Sequence, residues 1–144
     1  MCDVITRERH GDIDKFMGDA IMAVFIDAND AVEAGADILG KALPHFNALR
    51  DKDGLEPINV RIGINSGHVV QGDIGTTDRK DLTVIGDVVN AAQRIETLCE
   101  PGHMLISEAT YSRLRKEVSA RFLPQGAISI RGRAEPIRVF TSAE

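Results

Sequence analysis

The chain has 144 residues, 43% of them apolar and 27% charged, with a formal net charge of −5. That is the usage of one ordinary globular domain and excludes disordered, collagen-like and coiled-coil chains. Its longest uninterrupted apolar run, from Ala20 to Ile26, falls far short of the roughly 20 residues that span a bilayer. No basic segment leading into an apolar core marks a signal peptide.

The opening ten residues read as the end of a helix. Met1, Val4 and Ile5 keep helical spacing, Arg7, Arg9 and His10 suit a C-terminus, and Gly11 stands where a C′ glycine belongs. No N-cap or earlier turns precede it, so an upstream segment is expected. Two short apolar runs follow, Ile13 to Met17 and Ala20 to Phe25. Gly18-Asp19 joins them as a type II′ hairpin turn with glycine first. The near-continuous hydrophobicity of the second run predicts a strand buried on both faces. A helix is expected next, capped near Asp27 or Asn29, with Val32, Ala36, Leu39, Leu43, Phe46 and Leu49 on one stripe and a kink or early end at Pro44.

Val60, Ile62 and Ile64 alternate with Arg61, Gly63 and Asn65 as in a strand. A polar loop from Gly72 to Asp81, a strand from Leu82 to Ile85 and a helix capped by Asp87 come after it. Met104 to Ile106 reads as a strand, Ser107 caps a helix to about Arg115, and two last strands surround Gly126 and Gly132. The pattern is a mixed α/β domain with hairpin-type connections and one layer of helices on one sheet.

Charge and cysteine usage narrow the partners. An acidic chain is a poor binder of duplex DNA, so nucleic acid is not an expected partner. From Tyr111 onward, however, seven Lys/Arg face three Glu, a solvated basic face that can still meet a small polyphosphate. Cys2 and Cys99 make no disulfide framework and fit a reducing, cytoplasmic setting, each as an inert thiol. His10, His45, His68 and His103 lack partners at zinc-ligand spacing.

Two clusters have chemical potential. In the helix from Asp87, Val88, Ala91, Ile95 and Leu98 form the apolar stripe, and Asn90 and Arg94 share roughly the opposite face. An amide and a planar, permanently charged guanidinium four residues apart can address one phosphate-bearing ligand. Spacing alone fits the solvent face of an amphipathic helix better. Lys15 and Asp19 bracket the first hairpin turn, where an aspartate can bind Mg²⁺ and a lysine a base or phosphate, although turn chemistry also accounts for both. The glycines match neither a dinucleotide fingerprint nor a Walker loop.

Taken together, four segments resemble the class III nucleotidyl cyclases. Asp14 to Phe25 (DKFMGDAIMAVF) resembles their substrate- and metal-binding hairpin, and Val60 to Gly67 (VRIGINSG) their next central strand. Thr83 to Arg94 (TVIGDVVNAAQR) resembles the catalytic strand-helix, and Ile130 to Arg133 with Pro136 to Phe140 the closing hairpin. The resemblance implies an α+β, ferredoxin-like (palm-type) sandwich of a mostly antiparallel sheet with helices, with residues 1–144 a partial catalytic domain. It further implies conversion of ATP to 3′,5′-cyclic AMP at the interface of a head-to-tail homodimer. Asp19 aligns with the second of two carboxylates that hold Mg²⁺ or Mn²⁺. Lys15 and Thr83 align with the base-reading residues, lysine favouring adenine. Asn90 aligns with the residue that orients the ribose, Arg94 with the one that stabilises charge on the α-phosphate, and Arg131 with a lysine position on the distal phosphates.

One departure is clear. The family's first strand carries a Phe-x-Asp-Ile-x-Gly-Phe-Thr-like motif with the first metal aspartate and a phosphate-binding turn, and nothing in these 144 residues corresponds to it. The chain alone is therefore expected to be inactive. A non-catalytic, dimerising or regulatory module of the same scaffold is the alternative. A guanylate cyclase is a further one, against which Lys15 speaks.

Overall fold

The computed structural model describes residues 2–68, 70–72 and 83–142, with side chains for 2–68 and 86–142. Residues 73–82, which are the expected polar loop after Gly72 and the first residue of the strand expected to begin at Leu82, lie outside them. The chain opens with a π-helical turn, Val4–Glu8, closed by a bond from the Gly11 amide to the Ile5 carbonyl at 2.8 Å. The left-handed residue of that ending is His10, at φ 63°, rather than Gly11. Gly11 is needed for space: a Cβ there would stand 2.5 Å from Phe25 Cε2 and 2.9 Å from Ile5 Cγ2.

Strands β1 (Asp12–Met17) and β2 (Ala20–Val24) form an antiparallel hairpin with Met17 opposite Ala20. Gly18 takes φ 62° and Asp19 keeps a negative φ, the combination a II′ turn requires. The ladder pairs Ile13 with Ala23 and then Lys15 with Met22, so Asp14 is the extra residue of a bulge. The expectation that β2 is buried on both faces is not met. Ile21 is 42% exposed, and Phe16 and Met17 on β1 are exposed beside it. Its unbroken apolar run makes an apolar outer face, which periodicity does not distinguish from a core strand.

Helix α1 (Ala28–Asp37) starts at Asp27, whose carboxylate accepts from the Asn29 amide at 2.8 Å. A π-helical stretch, Ile38–Ala42, leads into α2 (Leu43–Lys52). Pro44 has no amide hydrogen to bond the carbonyl one turn back. The widened π turn immediately before it is where the helix absorbs that loss, and it neither ends nor breaks there.

The largest sheet has the order β3-β6-β8-β7, built from β3 (Ile62–Ile64), β6 (Met104–Ser107), β7 (Phe122–Ile128) and β8 (Ile137–Ser142). β3 and β6 run parallel, and the other neighbours are antiparallel. A separate short ladder joins β4 (Val70–Gly72) to β5 (Thr83–Ile85). All four residues of β6 are buried. Met104 and Ile106 join Val32, Val118, Phe122 and Phe140 on one face, while Leu105 joins Ile95, Cys99 and Val139 on the other. Helices therefore cover both faces of this sheet, α1 on one and α3 (Asp87–Leu98) on the other. That corrects the expected single helix layer, and the cause is that β6 is apolar on both faces while β8 turns Phe140 to one face and Val139 to the other. The helix after Ser107 is also shorter than expected. It splits into α4 (Glu108–Tyr111) and α5 (Lys116–Ser119), with Tyr111 stacked on Phe140 at 4.0 Å.

Two features of this packing are measurable. Gly63 lies so close to α3 that a Cβ would overlap the backbone of Glu96, so Gly63→Ala is expected to destabilise the fold by about 1–3 kcal/mol, read as a lowered melting temperature. Glu33 is held below the usual carboxylate range, chiefly by the hydrogen bond it accepts from Arg121 at 2.8 Å. A depressed carboxylate contributes stability above its unfolded value, near 4.3, and loses it as pH falls towards the folded one. The stability gap between wild type and Glu33→Gln is therefore expected to be present at neutral pH and to close on acidification below about 4. A gap independent of pH would refute that coupling.

Candidate active site

Helix α3 carries the most informative pair. Its buried stripe is Ala91 and Ile95, with Cys99 completing it one residue beyond the helix in place of Leu98, which is 44% exposed. Asn90 and Arg94 lie on the opposite, exposed side. The N-cap is Gly86, at φ 126°, rather than Asp87, and no side chain caps the first turn. The amides of Val89 and Asn90 instead donate to the Gly86 carbonyl at 3.2 and 3.1 Å. Asp87, the first helical residue, places its carboxylate charge at the positive end of the helix.

The connection between β7 and β8 faces this surface. The Arg133 amide donates to the Ile130 carbonyl at 3.1 Å, closing a turn in which Gly132 takes φ 88°. Asn90, Arg94, Ser129, Ile130 and Arg131 line one cavity of about 530 Å³. Three of the six residues singled out from the sequence thus meet, although Arg131 is 37 positions beyond Arg94. Most of the other arginines are engaged: Arg9 with Asp37, Arg61 with Glu96, Arg121 with Glu33 and Arg138 with Glu108. Among the described residues, neither Arg94 nor Arg131 makes an ion pair. Two uncompensated guanidiniums with an amide between them favour a ligand that is anionic and has hydrogen-bonding hydroxyls.

Lys15 and Asp19 do not line this cavity. Lys15 projects from β1 with a third of its side chain exposed, 3.7 Å from the buried carboxylate of Asp14. Adjacent strand residues normally point to opposite faces, and the bulge at Asp14 is what lets these two meet. Asp19 is exposed at the hairpin turn. Thr83 opens β5 opposite Gly72, and its side chain lies outside the described residues. β5 lies beside β1 and leads directly into α3, so the backbone brings the hairpin, Thr83 and the Asn90 turn into one neighbourhood. Among the described residues, no group of three or more His, Cys, Asp or Glu side chains could hold a metal ion. Asp19 offers a single carboxylate, which suits Mg²⁺ only when substrate phosphate oxygens supply further ligands.

Sequence reasoning did not single out Ser129 or Ile130. A serine and an isoleucine ahead of an Arg-Gly turn give no signal beyond turn chemistry. Cys99 behaves as expected of an inert thiol: it is buried, donates to the His103 carbonyl at 3.2 Å, and burial pushes its pKa up. No described helix is long and apolar enough to cross a membrane.

An α+β scaffold that presents an amide and, among the described residues, two guanidiniums without ion pairs to one cavity has the chemistry to meet a phosphate-bearing ligand. Residues 2–142 match the adenylate and guanylate cyclase catalytic domain family, and the chain belongs to it. An adenylate cyclase of Anabaena cylindrica is 41% identical over 142 residues, which is 92% of this chain and 28% of that protein. The crystal structure of the guanylyl cyclase Cya2 matches with a TM-score of 0.82 at 34% identity, covering 99% of this chain and 74% of that one. The adenylyl cyclase CyaB from P. aeruginosa matches with a TM-score of 0.74 at 29% identity, covering 97% and 75%. The chain spans less than a third of the length of the curated relatives it matches.

If the cavity is an anion site, inorganic tripolyphosphate is expected to bind there. Losing one charge-assisted contact, worth about 1.5–3 kcal/mol, should make Arg94→Ala and Arg131→Ala each weaken that binding by about tenfold or more in calorimetric titration. Arg113→Ala, on exposed surface away from the cavity, should leave it unchanged. Equal weakening by all three would show a diffuse charge effect and no site.

Proposed function

We propose that the chain is part of the catalytic domain of an adenylate cyclase, a domain that turns ATP into 3′,5′-cyclic AMP and pyrophosphate. The single observation that carries this reading is the convergence of Asn90, Arg94 and Arg131 on one cavity in a member of the cyclase family. The ribose 3′-oxygen forms a bond to the α-phosphorus, the bond from that phosphorus to the bridging oxygen breaks, and pyrophosphate leaves with the electron pair as the hydroxyl proton is lost. Asn90 orients the ribose so that the 3′-oxygen is in line with the breaking bond. Arg94 stabilises the charge that builds on the α-phosphate oxygens, and Arg131 that on the departing pyrophosphate. Lys15 and Thr83 read the base, and the lysine supports adenine over guanine.

Asp19 contributes one carboxylate to Mg²⁺ or Mn²⁺ carried in with the triphosphate. The ion supplies Lewis-acid stabilisation of phosphate charge when bound. The domain works as a homodimer. Support for this comes from the exposed apolar side chains of Phe16, Met17 and Ile21 on the β1–β2 hairpin that also bears Asp19, a surface suited to burial against a second copy. The free thiols of Cys2 and Cys99 fit operation in a reducing cytoplasm.

The test is cyclic nucleotide formation by the full-length protein with Mn²⁺ and either ATP or GTP. Cyclic AMP is the expected product, with Arg94→Ala lowering kcat by about 10²–10³-fold and Lys15→Glu shifting the preference towards GTP. The 144-residue chain by itself is expected to turn over little or no ATP, because it offers one metal-holding carboxylate. Absence of cyclic AMP from the full-length protein, or Arg94→Ala turning over like wild type, would overturn the reading. Nucleotide binding that ignores substitutions at Lys15, Asp19 and Arg94 would favour a non-catalytic module.

A further inference from the structure

We infer that Asn65, which is not among the residues lining the cavity of Asn90, Arg94 and Arg131, is a positioning residue for Asn90. Its amide Nδ2 donates to the carbonyl of Val88 at 3.1 Å, two residues before Asn90 and inside the first turn of α3. Among the described residues that turn has no capping side chain of its own, and this bond from the end of β3 ties it to the sheet. The other end of the same amide is set by a buried relay. The Thr110 backbone amide donates to Ser107 Oγ at 3.2 Å, and Ser107 Oγ donates to Asn65 Oδ1 at 2.6 Å. Ser66 Oγ and Thr110 Oγ1 close the cluster at 2.8 Å. Ser107 and Thr110 are 1% and 0% exposed.

The direction of the bonds through the Asn65 amide follows from chemistry. A backbone carbonyl only accepts, so Asn65 must turn its NH₂ to Val88. The amide oxygen that is left can only accept, so the Ser107 hydroxyl gives its proton to Asn65 Oδ1. Only a planar group with one donor end and one acceptor end completes the chain, which aspartate, serine and leucine each fail to do. The neighbouring contacts leave α3 no freedom to slide. Gly63 abuts the Glu96 backbone, and a Cβ on Gly67 would stand 2.7 Å from Val88 Cγ2. Arg61 pairs with Glu96 at 3.2 Å. With the helix held along its length, the Asn65 bond decides the placement of its first turn, and with it the Asn90 amide. Misplacing an orienting group by an ångström or less costs rate without removing binding contacts.

The inference rests on the reading of Asn90 as the residue that orients the ribose, and its test separates the two. In the full-length protein, Asn65→Asp keeps the shape and the acceptor for Ser107 but has no donor for Val88. Asn65→Ala removes both ends. Each is expected to lower kcat for cyclic AMP formation about tenfold or more while KM for ATP moves less than about threefold. In an Asn90→Ala background, adding Asn65→Asp should lower kcat no further, although its effect on melting temperature persists. A kcat within twofold of wild type for Asn65→Asp, or an equal fall in the Asn90→Ala background, would overturn the proposal. Should the wild type make no cyclic nucleotide from ATP or GTP, the catalytic reading alone fails, and amide hydrogen exchange decides the positioning. Asn65→Asp must then speed exchange in residues 89–94 selectively over 95–98, and uniform exchange along α3 would refute it.

Discussion

The close approach of β3 to α3 is the constraint on which the rest of the site depends. Because Gly63 has no side chain, the strand runs against the backbone of Glu96, and every other contact between these elements follows from that short separation. Arg61 can then reach both the Glu96 carboxylate and the Thr97 carbonyl, and Asn65 can reach Val88. The helix is thus held at both ends from one strand. A helix seated so closely presents its polar face at a fixed height above the sheet, where the β7–β8 turn meets it to form the cavity.

Charge is distributed to match. Arginines that brace the scaffold are matched with carboxylates, as Arg9 is with Asp37 and Arg121 with Glu33, while among the described residues those at the cavity make no ion pair. Leaving a guanidinium unpaired is tolerable only where water or a ligand solvates it, which the open cavity provides. The same division helps an acidic chain present a basic site: several of its carboxylates, among them Asp37, Glu33, Glu96 and Glu108, are held in structural pairs. On the hairpin, the Asp14 bulge performs a comparable task by bringing neighbouring Asp14 and Lys15 to one side of β1.

Much of this was legible in the chain itself. The Gly18-Asp19 turn, the Asp27 and Ser107 caps and the Asn90/Arg94 face are local features, each set by a few consecutive residues, and local signals survive without tertiary context. The motifs pointed to the family for the same reason. What misled were features whose meaning depends on what lies opposite. The apolar run of β2 predicted burial, yet Ile21 is exposed. The short apolar run of β6 did not reveal that both faces are covered, since apolar residues on both sides also describe a one-sided strand with an apolar rim. Gly11 was read for its backbone conformation when its role is to leave room for Phe25.

By itself the sequence determined most of the elements, the Asp27 and Ser107 caps, the Gly18-Asp19 turn, and the residue types able to meet a phosphate-bearing ligand, because propensity, periodicity and hydrogen-bonding capacity are properties of short segments. Only the tertiary structure decided which of those residues share a cavity and which polar groups hold them there. Arg131 joins Arg94 across an antiparallel turn, and Asn65, Ser107 and Thr110 join across three elements. Such partners are separated by tens of residues, and their meeting is fixed by strand order, register and the closeness of backbone packing. None of those quantities is written in any one stretch of the chain.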